Sequence, residues 1–241
     1  MQIKLSIIIP CYNEKERFKE GILHFLNYLN NKKYQWELIL VNDGSKDETL
    51  KLMEEMSRKN ENVKVISYKI NKGKGHAIKV GVKKARGDII LFSDLDHSVP
   101  ISTIESFFKY FNNGYQVVVG SRRVEGSKFI RKQNFLRENL GRGFTLLVRI
   151  FVDWKIKDAT CGFKAFTNEA AKRIFSSVSI YGWAFDAEIL FLCKKYGYKY
   201  AQAPVSWQDV KGSKVSIGKD IFGSFFGLVK IRINDAFKKY T

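Results

Sequence analysis

Two aspartates one residue apart, Asp94 and Asp96, close the run D-I-I-L-F-S-D-L-D within residues 88–100. Carboxylates at this spacing can face one hard divalent cation such as magnesium, which prefers oxygen and retains phosphate and water ligands. Such pairs also serve plain turns and helix caps, where aspartate accepts backbone hydrogen bonds. The apolar residues 89–92 suit a buried parallel strand, which puts both acids at its exit, the edge where α/β proteins bind ligands. Two other clusters carry chemistry. N-K-G-K-G-H at 71–76 lets Gly73 and Gly75 bring amides near a phosphate beside Lys72 and Lys74, or forms a solvated basic turn. Ser121, Arg122 and Arg123 stand at the end of another apolar run, 116–120.

The elements that must position these residues follow a repeating pattern. Residues 3–9, 36–41 and 63–67 are short β-branched or apolar runs, and Pro10 is expected to stop the first, since it lacks an N–H. Helical spacing follows each: Phe18, Ile22, Phe25 and Leu29 after the first, with Ser45 or Asp47 capping the helix after the second. Four strand-to-helix repeats in one half of the chain predict an α/β fold with a mostly parallel sheet covered by helices. Neither a dinucleotide fingerprint nor a P-loop is present.

The chain carries 42 Lys and Arg against 24 Asp and Glu, a formal charge of +18. Its partner should be anionic: a phosphorylated substrate, an anionic membrane surface or nucleic acid. No zinc finger, RNA-recognition signature or arginine-rich tail accompanies the charge, which weighs against nucleic acid. Cys11, Cys161 and Cys193 lack C-x-x-C spacing and fit thiols in a reducing compartment. No stretch approaches the roughly 20 apolar residues of a membrane span. Residues 137–154 and 221–237 instead mix Leu, Ile, Val and Phe with Arg142, Arg149, Lys230 and Arg232. Each reads as a core helix or as one lying on a membrane surface with its cations at the headgroups. The expected division is a main domain over 1–215 and a C-terminal amphipathic segment over 216–241. An open loop at 126–137 reads as one that closes over substrates or as an ordinary mobile surface loop.

The motifs together resemble family 2 glycosyltransferases of the GT-A fold, nearest the polyprenyl-phosphate hexose synthases and, within them, the dolichyl-phosphate β-glucosyltransferases. The resemblance rests on S-I-I-I-P-C-Y-N-E at 6–14, V-N-D-G-S-K-D-E-T at 41–49, N-K-G-K-G-H-A at 71–77 and D-L-D at 94–96. It continues through G-S-R at 120–122, D-A-T-C-G-F-K-A-F at 158–166, W-A-F-D-A-E at 183–188 and V-S-W-Q-D-V-K-G-S-K at 205–214. It implies a nucleotide-sugar pocket built by Pro10, Tyr12, Glu14 and Asp43, with Lys74 and Gly75 near the diphosphate. It implies that Asp94 and Asp96 hold Mg2+ or Mn2+ against that diphosphate. The mannosyl relatives carry glutamine two positions after the second acid; here Ser98, a shorter donor, leaves that part of the shell to water.

The implied reaction is inverting transfer of glucose from UDP-glucose to a polyprenyl phosphate. The acceptor oxygen is already anionic, so a basic cluster of Arg122, Arg137 and Lys214 matters more than a general base. Asp158 orients the acceptor or a basic residue, and Glu188 the sugar or a helix. Such an enzyme is expected at the cytoplasmic face of a membrane, peripheral or monotopic, alone or with a separate membrane protein. Transfer of mannose or another hexose to polyprenyl phosphate or a glycan is one alternative. A nonenzymatic basic protein that binds membranes or nucleic acid is the other.

Overall fold

The computed structural model describes residues 2–131, 135–210 and 217–240, with side chains for all of these except 131, 135–137 and 217–222. The first half is three strand-helix repeats and a fourth strand: β1 (Leu5–Cys11), α1 (Lys15–Leu29), β2 (Trp36–Asp43), α2 (Thr49–Lys59), β3 (Val63–Tyr68), α3 (Lys74–Lys84) and β4 (Ile89–Phe92). Strands β1, β2 and β4 are buried almost throughout, as strands covered on both faces must be. All pair in parallel, so Cys11, Asp43, Tyr68 and Phe92 end at one edge.

Pro10 does not stop β1; it pairs with Val41 and the strand runs on to Cys11. The reason is strand parity. The Ile8 carbonyl accepts from Ser93 N on the β4 side, and Pro10 faces that same side beyond the last β1–β4 pair, Ile8 with Phe92. No ladder partner there asks for the missing N–H. The helix after β2 begins with Glu48 at its cap position, and Asp47 accepts from the Thr49 amide at 2.9 Å.

The second half departs from simple repetition. After α4 (Ile104–Asn112) and β5 (Val117–Ser121) come β6 (Lys128–Arg131), α5 (Phe135–Phe151), β7 (Lys164–Thr167), α6 (Asn168–Ser177), α7 (Phe185–Lys195), β8 (Tyr200–Pro204), β9 (Ser206–Gln208) and α8 (Ile217–Ala236). The seven-stranded sheet runs β3-β2-β1-β4-β7-β5-β8. Strand β7 lies antiparallel to both neighbours, whereas β8 is parallel to β5. A separate two-stranded ribbon pairs β6 with β9, so part of the expected open loop at 126–137 is strand. Helix α7 is buried at every position from Phe185 to Cys193, an internal helix against one sheet face.

Helix α8 is held by the body of the protein. Leu228, Ile231 and Tyr240 join the core cluster that contains α7. The Tyr240 hydroxyl donates to buried Glu188 at 2.6 Å, and Glu188 also accepts the Ser179 and Ile180 amides at 3.0 and 2.8 Å. Glu188 therefore positions a turn and a helix. No helix among the described residues is long and apolar enough to cross a membrane.

Lys164 of β7 is fully buried and pairs with Asp186 of α7, itself 5% exposed. Its ammonium also donates to the carbonyls of Cys161 at 2.6 Å and Ala159 at 3.3 Å. Removing one partner of such a pair strands the other charge without water. Lys164→Met should therefore lower unfolding free energy by about 3–5 kcal/mol, read as an earlier urea midpoint; a midpoint equal to the wild type's would show that the pair carries no structural weight.

Candidate active site

The acid pair leaves β4 at the carboxyl edge of the sheet. Asp94 is ion-paired with Lys74, the first residue of α3, at 2.5 Å, and both side chains remain about one-third exposed, 33% and 28%. Burial alone would lower the Lys74 pKa, but the charges of Asp94 and Asp186 outweigh it and raise it. Gly162 presses on this pair: a Cβ there would overlap the Asp94 carboxylate and come within 3.3 Å of Lys74 Nζ. Asp96 accepts from the Ser98 amide at 3.0 Å and lies 4.0 Å from an Arg17 nitrogen, while Arg17 itself forks onto Glu14. His97 takes a left-handed backbone, φ 56°, and its Nε2 lies 2.5 Å from the Gly21 carbonyl, pinning the exit turn to α1.

No group of three or more His, Cys, Asp or Glu that could hold a metal is assembled among the described residues. Two part-exposed carboxylates fit magnesium or manganese, whose remaining positions are commonly taken by substrate phosphate and water. The donor set is hard oxygen throughout, and Ser98 contributes its amide to Asp96.

Asp43, at the end of β2, organises the neighbouring turn. Its carboxylate accepts the Lys72 and Gly73 amides at 2.8 and 2.9 Å and the Asn71 side chain at 3.1 Å. Gly73 needs its positive φ of 96°, and a Cβ would strike the Tyr181 carbonyl. The Gly75 amide donates to that same carbonyl at 3.1 Å, with Phe185 packed against its α-carbon side. The glycines thus permit close backbone packing, and the amides of Gly73 and Gly75 are engaged within the protein. Pro10 and Tyr12 are part-buried and Glu14 is buried at the end of β1. The loop is stitched to the one after β2 by Asn13 N to Ser45 Oγ at 3.0 Å and Glu14 N to Thr49 Oγ1 at 2.7 Å.

The cationic side lies at the end of β5. Arg122 grips fully buried Asp158 through two side-chain bonds of 2.7 and 2.8 Å, and its Nη2 also reaches Thr160 at 2.7 Å. The guanidinium lies over the Trp207 ring, 5.4 Å from its centroid. Burial would raise the Asp158 pKa, yet Arg122 holds it far below the usual carboxylate range. Asp158 therefore orients a basic residue. Arg137 lies in α5 with its side chain outside the described set, and Lys214 lies outside the described residues. Trp183 is exposed, whereas Trp207 is buried beneath Arg122.

Segment 158–164 joins the two sides, a role the sequence reading did not assign to it. Asp158 and Thr160 hold Arg122, Gly162 abuts Asp94, and Lys164 ties the segment to Asp186. Burial pushes the Asp186 carboxyl up, with Lys164 and Lys74 opposing. One signal was available: Lys164 alternates with Phe163 and Ala165 in a run otherwise apolar, the placement of a lysine whose charge must be met inside.

Comparison with known proteins gives the family. The family described as Glycosyl transferase family 2 matches residues 6–175. A dolichyl-phosphate beta-glucosyltransferase of Dictyostelium discoideum is 36% identical over 253 residues, covering 95% of this chain and 77% of its own. One from Trichomonas vaginalis is 34% identical over 243 residues, covering 97% of this chain and 72% of its own. Among solved structures, glucosyl-3-phosphoglycerate synthase from Mycobacterium tuberculosis in complex with Mg2+ and uridine-diphosphate superposes with a TM-score of 0.67 at 18% identity, covering 95% of this chain and 79% of that one. Fold, motif positions and whole-chain relatives converge: this GT-A chain belongs to glycosyl transferase family 2.

Proposed function

We propose that the enzyme transfers glucose from UDP-glucose to a dolichyl-type polyprenyl phosphate with inversion. The observation that carries this reading is the joining of Asp94 and Arg122 through 158–164, which ties the acid pair at the exit of β4 to an oriented, part-buried guanidinium at the exit of β5. The relatives named for this reaction match nearly the whole chain. Asp94 and Asp96 would hold magnesium or manganese, which when bound stabilises the departing diphosphate as a Lewis acid.

In this reading Asp43 and the loop bearing Pro10, Tyr12 and Glu14 shape the nucleotide pocket. Lys74, paired with Asp94, is placed to turn toward the departing UDP. Arg122, with Arg137 and Lys214, holds the acceptor phosphate. A phosphate oxygen forms the new bond to the anomeric carbon as the bond to UDP breaks, so an α-linked donor gives a β-linked lipid product. The acceptor is already ionised, and no carboxylate must take its proton. That agrees with Asp158 and Glu188 both being committed to protein donors.

A lipid acceptor places the enzyme at a membrane surface, and α5 and α8 fit that setting. Leu146, Ile150 and Trp154 are exposed at four-residue spacing, and Phe226, Ile233 and Phe237 are exposed along the C-terminal stretch. The reading puts this surface on the cytoplasmic face, consistent with buried cysteines kept as thiols. A separate membrane protein that presents the acceptor is compatible with the same arrangement.

The direct test supplies purified protein with magnesium or manganese, short-chain polyprenyl phosphate and, in turn, UDP-glucose, GDP-mannose and UDP-N-acetylglucosamine, with lipid products resolved by mass. A hexose adduct is expected from UDP-glucose alone, and Asp94→Ala should reduce it by about 10^2–10^3-fold with the fold retained; an adduct from GDP-mannose would overturn the donor. Gly162→Ala should displace the Asp94 carboxylate and lower turnover by about 10^2-fold while the melting temperature barely moves; wild-type kinetics would remove Gly162 from the site. Arg122→Lys keeps the charge but loses the fork, so KM for the lipid phosphate should rise by about 10–100-fold with donor KM unchanged.

A further inference from the structure

A cleft of about 410 Å³, lined by neither residue of the acid pair, lies where the end of α5 and the turn after it meet α7 and α8. Arg149, Lys194 and Arg232 line it, with Asp153 as its one acid. Asp153 is already engaged: it accepts the Lys155 amide at 3.0 Å and the Tyr200 hydroxyl at 3.2 Å, with Lys194 at 3.9 Å. Among the described residues neither Arg149 nor Arg232 forms an ion pair. Arg149 donates to the Trp154 carbonyl at 3.1 Å and lies 5.5 Å from the centre of the Trp154 ring. Arg232 rests over Phe191 at 5.7 Å. The cleft is a cationic cup whose Arg149 is held by the Trp154 carbonyl and ring and whose Arg232 lies over the Phe191 ring.

Its rim is apolar. Ile150 and Trp154 are 55% and 62% exposed, and Ile233, beside Arg232, is 48% exposed. A soluble anion needs no such rim, whereas an anionic lipid presents a phosphate directly above its acyl chains, and tryptophan favours that boundary. We propose that this cleft binds the phosphate-bearing headgroup of an anionic membrane lipid, at a site separate from the reaction centre. The proposal rests on the membrane-surface reading above. Arg149, Lys194 and Arg232 meet the phosphate while Ile150, Trp154 and Ile233 enter the acyl boundary, so the protein docks in one orientation.

The test is cosedimentation of the full chain with vesicles of phosphatidylcholine alone or mixed with phosphatidylserine. Arg232→Gln should weaken binding to the mixed vesicles about fivefold, and Arg149→Gln with Arg232→Gln about twentyfold. A control pair on α2, Arg58→Gln with Lys59→Gln, removes equal charge from exposed positions elsewhere and should cost far less. Equal losses from the two pairs would overturn the cleft in favour of diffuse charge. Absence of wild-type binding to the mixed vesicles would also overturn it, as would displacement by inorganic phosphate alone, which would make the ligand a soluble anion. Turnover with detergent-dispersed acceptor is expected to be unchanged in Arg232→Gln; its absence in the wild type would sink the transferase reading while leaving the vesicle result to be judged separately.

Discussion

Lys164 puts an ammonium group where no water reaches it, and a charge so placed persists only if its donors find acceptors. Three are supplied: the Asp186 carboxylate and the carbonyls of Ala159 and Cys161. Those two carbonyls belong to the segment that holds Arg122 at one end and faces Asp94 at the other. In the sheet, Lys164 pairs with Phe92 on one side and Val119 on the other, the strands that deliver those same residues. Satisfying one buried cation thus fixes the spacing between the two chemical halves of the site.

The two halves are built for different freedom. The Lys74–Asp94 pair is part-exposed, so either partner can be reached by an incoming anion or cation. The Arg122–Asp158 pair is buried, forked and backed by Thr160 and Trp207, and separating it would strand a carboxylate with no water. The Lys74–Asp94 side can therefore rearrange, while the Arg122 guanidinium has a position that is already set.

Much of the first half was legible because it obeys local rules: apolar runs of strand length, helical spacing after them, and acids at strand exits. The resemblance put Lys74 and Asp94 near one diphosphate and left Asp158 to orient the acceptor or a basic residue; the ion pairs Lys74–Asp94 and Arg122–Asp158, separated by 20 and 36 positions, leave no periodic trace. Three features were not readable. Strand β7 runs against its neighbours, which only tertiary pairing decides. Pro10 survives inside a strand because the ladder on its other side has already ended. The turn glycines at 73 and 75 read as a phosphate approach or a solvated basic turn, whereas their amides meet Asp43 and Tyr181, since a glycine marks close approach without saying what approaches.

Strand β7 also bears on how the chain reaches this state. Until residues 164–167 arrive, β4 is the open edge of a four-stranded parallel sheet, and its residues Ile89 to Phe92 are wholly apolar. An unpaired apolar edge is a template for pairing with other chains. The segment that covers it lies more than seventy residues downstream and also carries the buried lysine that needs Asp186. Folding of the first half is therefore tied to a late, long-range closure, so the step that brings 158–164 against Asp94 is the same one that protects the nascent sheet from aggregation.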